Sequence, residues 1–196
     1  MPCMEIVIND TNILIDLFNA NLLTSCKHLN IEFRTLDVII EEITVEDQRR
    51  AINCLIADGT LKVCSLTSEQ VAVVFEKISH YEGTCNLSPE DISVMVYAID
   101  NKCRLLTGDK TLRDKASLEN VTVSGVLYLI DELLKNEIVA HVVMIRSLEL
   151  LLETNDRLPK KLIRERIETL RKTSNDPVSG GQFESGADER GAGNFN

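Results

Sequence analysis

Short apolar runs recur along the chain with longer helix-patterned stretches between them, and this alternation restricts the fold more than any other feature. Runs over 5–8, 36–40, 61–66, 104–107 and 121–124 have the length of strands and are rich in Ile, Val and Leu. Helical periodicity fills 12–28 (with a break), 41–58, 68–81, 89–101, 109–117 and 125–136. Strands joined through helices suit parallel neighbours, because a parallel pair needs a long crossover. The expected fold is therefore α/β: a parallel sheet flanked by helices in a three-layer α/β/α arrangement. A chain of 196 residues with 44% hydrophobic content can bury one such core.

Past residue 136 the pattern becomes purely helical, over 139–154 and 159–172. Pro159 opens the second of these, and Leu162, Ile163, Ile167 and Leu170 form an apolar stripe along it. Ser, Gly, Asn and Asp dominate from residue 173 onward, where five of the nine glycines lie. The expected organisation is an α/β domain over 1–138, a C-terminal helical extension over 139–172 and a disordered tail over 173–196.

The net charge of −10 argues against a protein that grips nucleic acid by bulk positive field. It leaves room for an acidic site that metal ions neutralise before a polyanion arrives. With 4% aromatics and no Trp there is no obvious platform for stacking bases. The six cysteines lie in apolar-patterned segments with no Cys-x-x-Cys spacing, which fits small buried thiols in a reducing cytoplasm and not disulfides or zinc. No apolar run reaches the length of a membrane span, and no signal peptide is evident, so a cytoplasmic protein without membrane contact is expected.

Four carboxylates stand out by position. Asp10 and Asp109 each close a hydrophobic strand, while Glu42 and Asp91 each open a helical stretch. In an open parallel sheet, ligands bind outside the carboxyl ends of the strands. Each acid also has a plain structural reading. Asp10 and Asp109 can cap the helices that follow, Asp91 completes a capping box with Ser88, and Glu42 can be an acidic first turn. Taken together they are harder to dismiss, because crowded like charges are costly unless a cation bridges them. All-oxygen ligation points to Mg²⁺ or Mn²⁺. His28, His80 and His141 share no ligand spacing with one another or with the acids.

The segments Ile-Val-Ile-Asn-Asp10-Thr-Asn12-Ile-Leu-Ile, Glu41-Glu42-Ile, Leu-Ser-Pro-Glu-Asp91-Ile and Leu-Leu-Thr107-Gly-Asp109-Lys-Thr-Leu-Arg-Asp114 together resemble a PIN domain, over residues 4–135. The stretch from Gly125 and the Arg157-Leu-Pro helix resemble the C-terminal part of a branch of small prokaryotic PIN nucleases that includes toxins of toxin–antitoxin pairs. The resemblance implies a metal-dependent ribonuclease whose core acids are Asp10, Glu42, Asp91 and Asp109, with Asp114 as a further metal ligand. It implies Asn12 and Thr107 as orienting polar groups. Glu90 competes with Asp91 for the third position, since only one of two adjacent helical residues can face the site. The implied products carry a 5′-phosphate and a 3′-hydroxyl, and the implied partners are an RNA substrate, a small antitoxin and a second copy of the chain.

Lys110 and Arg113, beside Asp109, are candidates for contacts to substrate phosphates, with a solvated helix face as the plain reading. Two other functions deserve weighing. Asp10-x-Asn12 after a strand faintly echoes haloacid-dehalogenase phosphatases, yet those need an acid where Asn12 stands. An inert metal-binding interaction module is the other.

Overall fold

The computed structural model describes residues 4–175. Its centre is a sheet of five strands: β1 (Glu5–Asn9), β2 (Ile31–Leu36), β3 (Leu61–Cys64), β4 (Arg104–Leu106) and β5 (Val123–Ser124). Their spatial order is β3-β2-β1-β4-β5 and every pair is parallel. The order reverses direction at β1, which lies between β2 and β4. That reversal opens a crevice at the carboxyl end of β1, the usual place for a ligand in such a sheet.

The helices are α1 (Thr11–Asn19), α2 (Asp37–Glu41), α3 (Glu46–Ala57), α4 (Ser68–Tyr81), α5 (Pro89–Asn101), α6 (Lys110–Leu118), α7 (Val126–Lys135), α8 (His141–Thr154) and α9 (Lys160–Asn175). A 3₁₀ turn, Leu23–His28, follows α1, so the break expected within 12–28 is present. Alternate strand residues feed two separate cores. Val7 and Leu106 join Leu14, Leu129, Met144, Leu148, Leu151 and Ile163 on one face. Ile8 and Leu105 join Ile92, Met95 and Leu112 on the other. The three-layer α/β/α arrangement follows directly from that alternation.

The second strand lies earlier than the sequence suggests. Residues 36–40 were expected to be extended, whereas β2 is Ile31–Leu36 and Asp37–Glu41 is a helix. In β2, buried Phe33 and Thr35 alternate with Glu32 and Arg34. Those charges are neutralised sideways: Arg34 and Lys62 both pair with Glu32, and Arg34 also donates to the Tyr97 hydroxyl at 2.9 Å. Asp37 stops the strand by accepting the Val38 N–H at 2.8 Å. A short continuous apolar run such as Val38-Ile-Ile does not by itself distinguish strand from helix. The single helix expected over 41–58 is consequently two, α2 and α3.

The helices of the C-terminal extension share the core cluster of β1 and α1 through Met144, Leu148, Leu151, Ile163, Ile167 and Leu170. Leu162, expected in that stripe, is exposed. The last helix runs through Asn175, past residue 172; the rest of the expected tail, 176–196, lies outside the described residues. The five described cysteines are free thiols, but only Cys26 and Cys103 are buried; Cys64 and Cys85 are half-buried and Cys54 is exposed on α3. Among the described residues no helix is long and apolar enough to cross a membrane.

Candidate functional site

Asp10 follows β1 directly and is only 3% exposed. Its backbone N–H continues the sheet by donating to the Leu106 carbonyl at 3.0 Å. That bond aligns the end of β1 with the end of β4. The Thr107 hydroxyl then donates to Asp10 Oδ2 at 2.8 Å and accepts the Asp109 N–H at 3.0 Å. One buried threonine thus ties both strand-end acids together. Asn12 Nδ2 approaches the same Asp10 oxygen at 3.4 Å. Although Asp10 occupies the N-cap position of α1, it makes no side-chain cap there. The plain structural reading of Asp10 is therefore wrong.

For Asp109 and Asp91 the capping readings are correct. Asp109 Oδ1 accepts the Leu112 N–H at 2.8 Å, and Asp91 Oδ2 accepts the Ser88 N–H at 2.9 Å. Each cap occupies one carboxylate oxygen, and both residues still line the site. Glu42 differs from expectation. It does not open a helix but stands at the C-terminal cap of α2, where the helix dipole disfavours a negative charge. Its carboxylate is held there by a hydrogen bond from the Thr11 hydroxyl.

Asp10, Thr11, Asn12, Glu42, Ser88, Asp91 and Asp109 line one open pocket of about 310 Å³. Glu90, Lys110 and Asp114 are not among its lining residues, and Asp114 is exposed on α6. Arg113 has a structural task, donating to the Thr107 carbonyl at 2.9 Å and so bracing the loop that carries Thr107. The sequence reading missed Thr11 and Arg157. Arg157, in the loop between α8 and α9, donates to Asn12 Oδ1 at 3.3 Å. No sequence pattern signals a contact between residues so far apart in the chain.

Asp10, Asp91 and Asp109 are electrostatically coupled. Burial pushes the Asp10 carboxyl up to about 6; the Thr107 bond opposes that rise, while the charge of Asp91 adds to it. Asp91 is likewise raised by burial, with opposing help from Ser88 and a further push from the Asp109 charge. This like-charge stress is what a cation relieves. Among the described residues no three Asp, Glu, His or Cys side chains are grouped so that they could hold a metal ion by themselves. Mg²⁺ does not require one, since it keeps several waters and takes one or two carboxylates directly. The pocket offers it carboxylate oxygens from Asp10, Asp91 and Asp109, the donor type such an ion takes. A larger cavity, about 600 Å³, lies at the opposite end of the strands near Glu5 and Arg104. Its carboxylates are already paired, Glu5 with Arg104 at 2.7 Å and Glu119 with Lys77 at 2.5 Å, so it offers no comparable uncompensated charge.

A sequence model of the PIN domain matches residues 6–172. The chain belongs to the PIN-domain family. PIN-domain proteins are nucleases, so the chain falls in a family of nucleases. The match runs through α8 and into α9, further than the motifs at 4–135. No curated protein matches the chain. Solved structures that match include the crystal structure of VapBC2 from Rickettsia felis bound to a DNA fragment from their promoter. That similarity has 13% identity and a TM-score of 0.45, covering 61% of this chain and 98% of the other.

Proposed function

We propose that this PIN-domain protein is a cytoplasmic, Mg²⁺- or Mn²⁺-dependent ribonuclease that hydrolyses RNA phosphodiester bonds with Asp10, Glu42, Asp91 and Asp109. The observation that carries this reading is the meeting of those four carboxylates around one polar pocket at the sheet's switch point. When bound, the ion supplies a water of lowered pKa and stabilises charge on the phosphoryl and leaving oxygens. Asp10 is the fixed element on the protein side, buried and held by Thr107. Asp109 keeps Oδ2, and Asp91 keeps Oδ1, clear of their caps and available to the ion or its waters. Glu42, exposed and held by Thr11, is suited to orienting a water at the mouth.

Incubating the protein with mixed RNAs, with and without Mn²⁺, tests the reading beside an Asp10→Asn control. Metal-dependent cleavage leaving 5′-phosphate ends is expected, and the control should be silent. Equal cleavage by the control would assign the activity to a contaminant. Partner binding with no cleavage would favour an inert interaction module.

The role follows from the branch that the sequence resembles: a toxin held silent by a small antitoxin and acting as a homodimer. Growth arrest on expression, relieved by Asp10→Asn, together with co-purification of a short partner, is the expected result. Solution mass checks the dimer.

A further inference from the structure

The acid pocket lacks something that a nuclease needs. None of its lining residues is cationic, yet a nucleic-acid substrate brings a row of phosphates past its mouth. The basic residues beside Asp109 do not supply the missing charge at the pocket wall. Arg113 is turned to the Thr107 carbonyl, and the Lys110 ammonium makes no bond to a lining residue among the described residues.

A guanidinium reaches the wall from the far end of the sequence. The loop joining α8 to α9 is held at two points, one on α1 and one on the core. Asn155 Nδ2 donates to Asp16 Oδ1 at 2.8 Å, and Leu158 packs against the core cluster that contains Leu14 and Leu17. Asn155 also uses its other end, accepting the Arg157 N–H at 2.9 Å. Arg157 is thereby fixed in backbone and delivered to Asn12, whose Oδ1 accepts from its Nη2 at 3.3 Å.

Asp16 marks this junction as more than surface decoration. It is 4% exposed, and its Oδ2 is buried with no hydrogen-bond partner among the described residues. Burial raises its pKa, opposed by the Asn155 bond and the Arg157 charge. A buried, half-satisfied carboxylate costs stability. An apolar residue would pack α1 against α8 at lower cost, but it would not hold Asn155.

We propose that Arg157 is a substrate-binding residue that grips an RNA phosphate at the rim of the acid pocket, delivered there by the Asp16–Asn155 anchor. The proposal rests on the ribonuclease reading. The bond to the neutral amide of Asn12 uses one N–H of the guanidinium and leaves the others for phosphate oxygens, which the planar fork of arginine suits. The helical extension, on this view, completes the substrate site as well as the core.

The test uses the full chain in two backgrounds. In the Asp10→Asn background, binding of a fluorescently labelled single-stranded RNA is followed by anisotropy across a salt series. Adding Arg157→Ala should raise Kd about tenfold, as loss of a charged hydrogen bond does. It should also flatten the slope of log Kd against log salt by about 0.7, one phosphate's share on a single strand. Arg157→Lys should restore the slope but only part of the affinity. Arg164→Ala, which removes an exposed charge from α9, should leave both unchanged.

In the otherwise unaltered chain with Mn²⁺, Arg157→Ala should raise KM more than it lowers kcat. An unchanged Kd and slope, or an equal effect from Arg164→Ala, would overturn the assignment. So would a kcat loss at constant KM, which would make Arg157 a positioning residue acting through Asn12. If the unsubstituted chain cleaves no RNA, the ribonuclease reading itself fails; if it cleaves and Arg157→Ala is silent, only this proposal does.

Discussion

Replacing Asp10 by Asn removes one charge from a place where charge is expensive. Asp10 is 3% exposed and lies within the field of Asp91, so its carboxyl is raised from 3.8 to about 6. A native pKa above the unfolded one means that the folded protein holds a proton the unfolded chain releases. Between 3.8 and about 6, metal-free stability therefore falls as pH rises; below that window the group costs nothing, and above it the penalty is complete. The difference corresponds to about 3 kcal/mol at neutral pH. Asn keeps an oxygen for the Thr107 hydroxyl but carries no charge, so Asp10→Asn should be the more stable protein in chelator by about 2–3 kcal/mol at pH 7. Urea unfolding of both proteins from about pH 4 to about pH 8 measures this, with the curves converging at the acid end. Adding Mn²⁺ should then stabilise only the unsubstituted chain, by about 2.7 kcal/mol at a hundred times Kd. Parallel pH curves, or equal stabilisation of both proteins by Mn²⁺, would refute the claim that Asp10 carries the electrostatic stress that a metal relieves.

Three further expectations concern neighbouring parts. Leu148 on α8 is fully buried in the cluster shared with β1 and α1, so Leu148→Ala should cost about 2–5 kcal/mol. It should lower the midpoint of a single unfolding transition, and a biphasic denaturant curve would show instead that α8 and α9 unfold on their own. Ser88→Ala removes half of the α5 capping box and should cost about 1 kcal/mol by thermal melting. Asp91→Asn should abolish metal-dependent cleavage while shifting the melting temperature less, which separates the two tasks of Asp91.

Much of the architecture was legible from periodicity. Strands β1 and β4, the buried helix α5 and the stripe on α9 follow from local apolar patterns, because burial demands them wherever the chain runs. The second strand was misread because its polar positions are charged and its apolar neighbour is longer. Only lateral pairing of Glu32 with Arg34 and Lys62 makes that strand tolerable in the sheet.

The site divides in the same way. Asp10, Asp91 and Asp109 were identifiable because the carboxyl end of a strand and the first turn of a helix are local positions that sequence can specify. Whether each acid served as a cap was not, since a cap and a metal ligand require the same residue at the same place. Hydrogen-bond geometry decided it: Asp10 faces Thr107 and caps nothing, whereas Asp91 and Asp109 each cap a helix and still line the pocket. The chain alone therefore determined which segments are buried and which acids stand at their ends, as these depend on near neighbours. Only the folded structure decided that Glu42 closes a helix instead of opening one, and that Arg157 meets Asn12. Contacts across 31 and 145 residues arise from the packing of whole elements, and no local pattern encodes them.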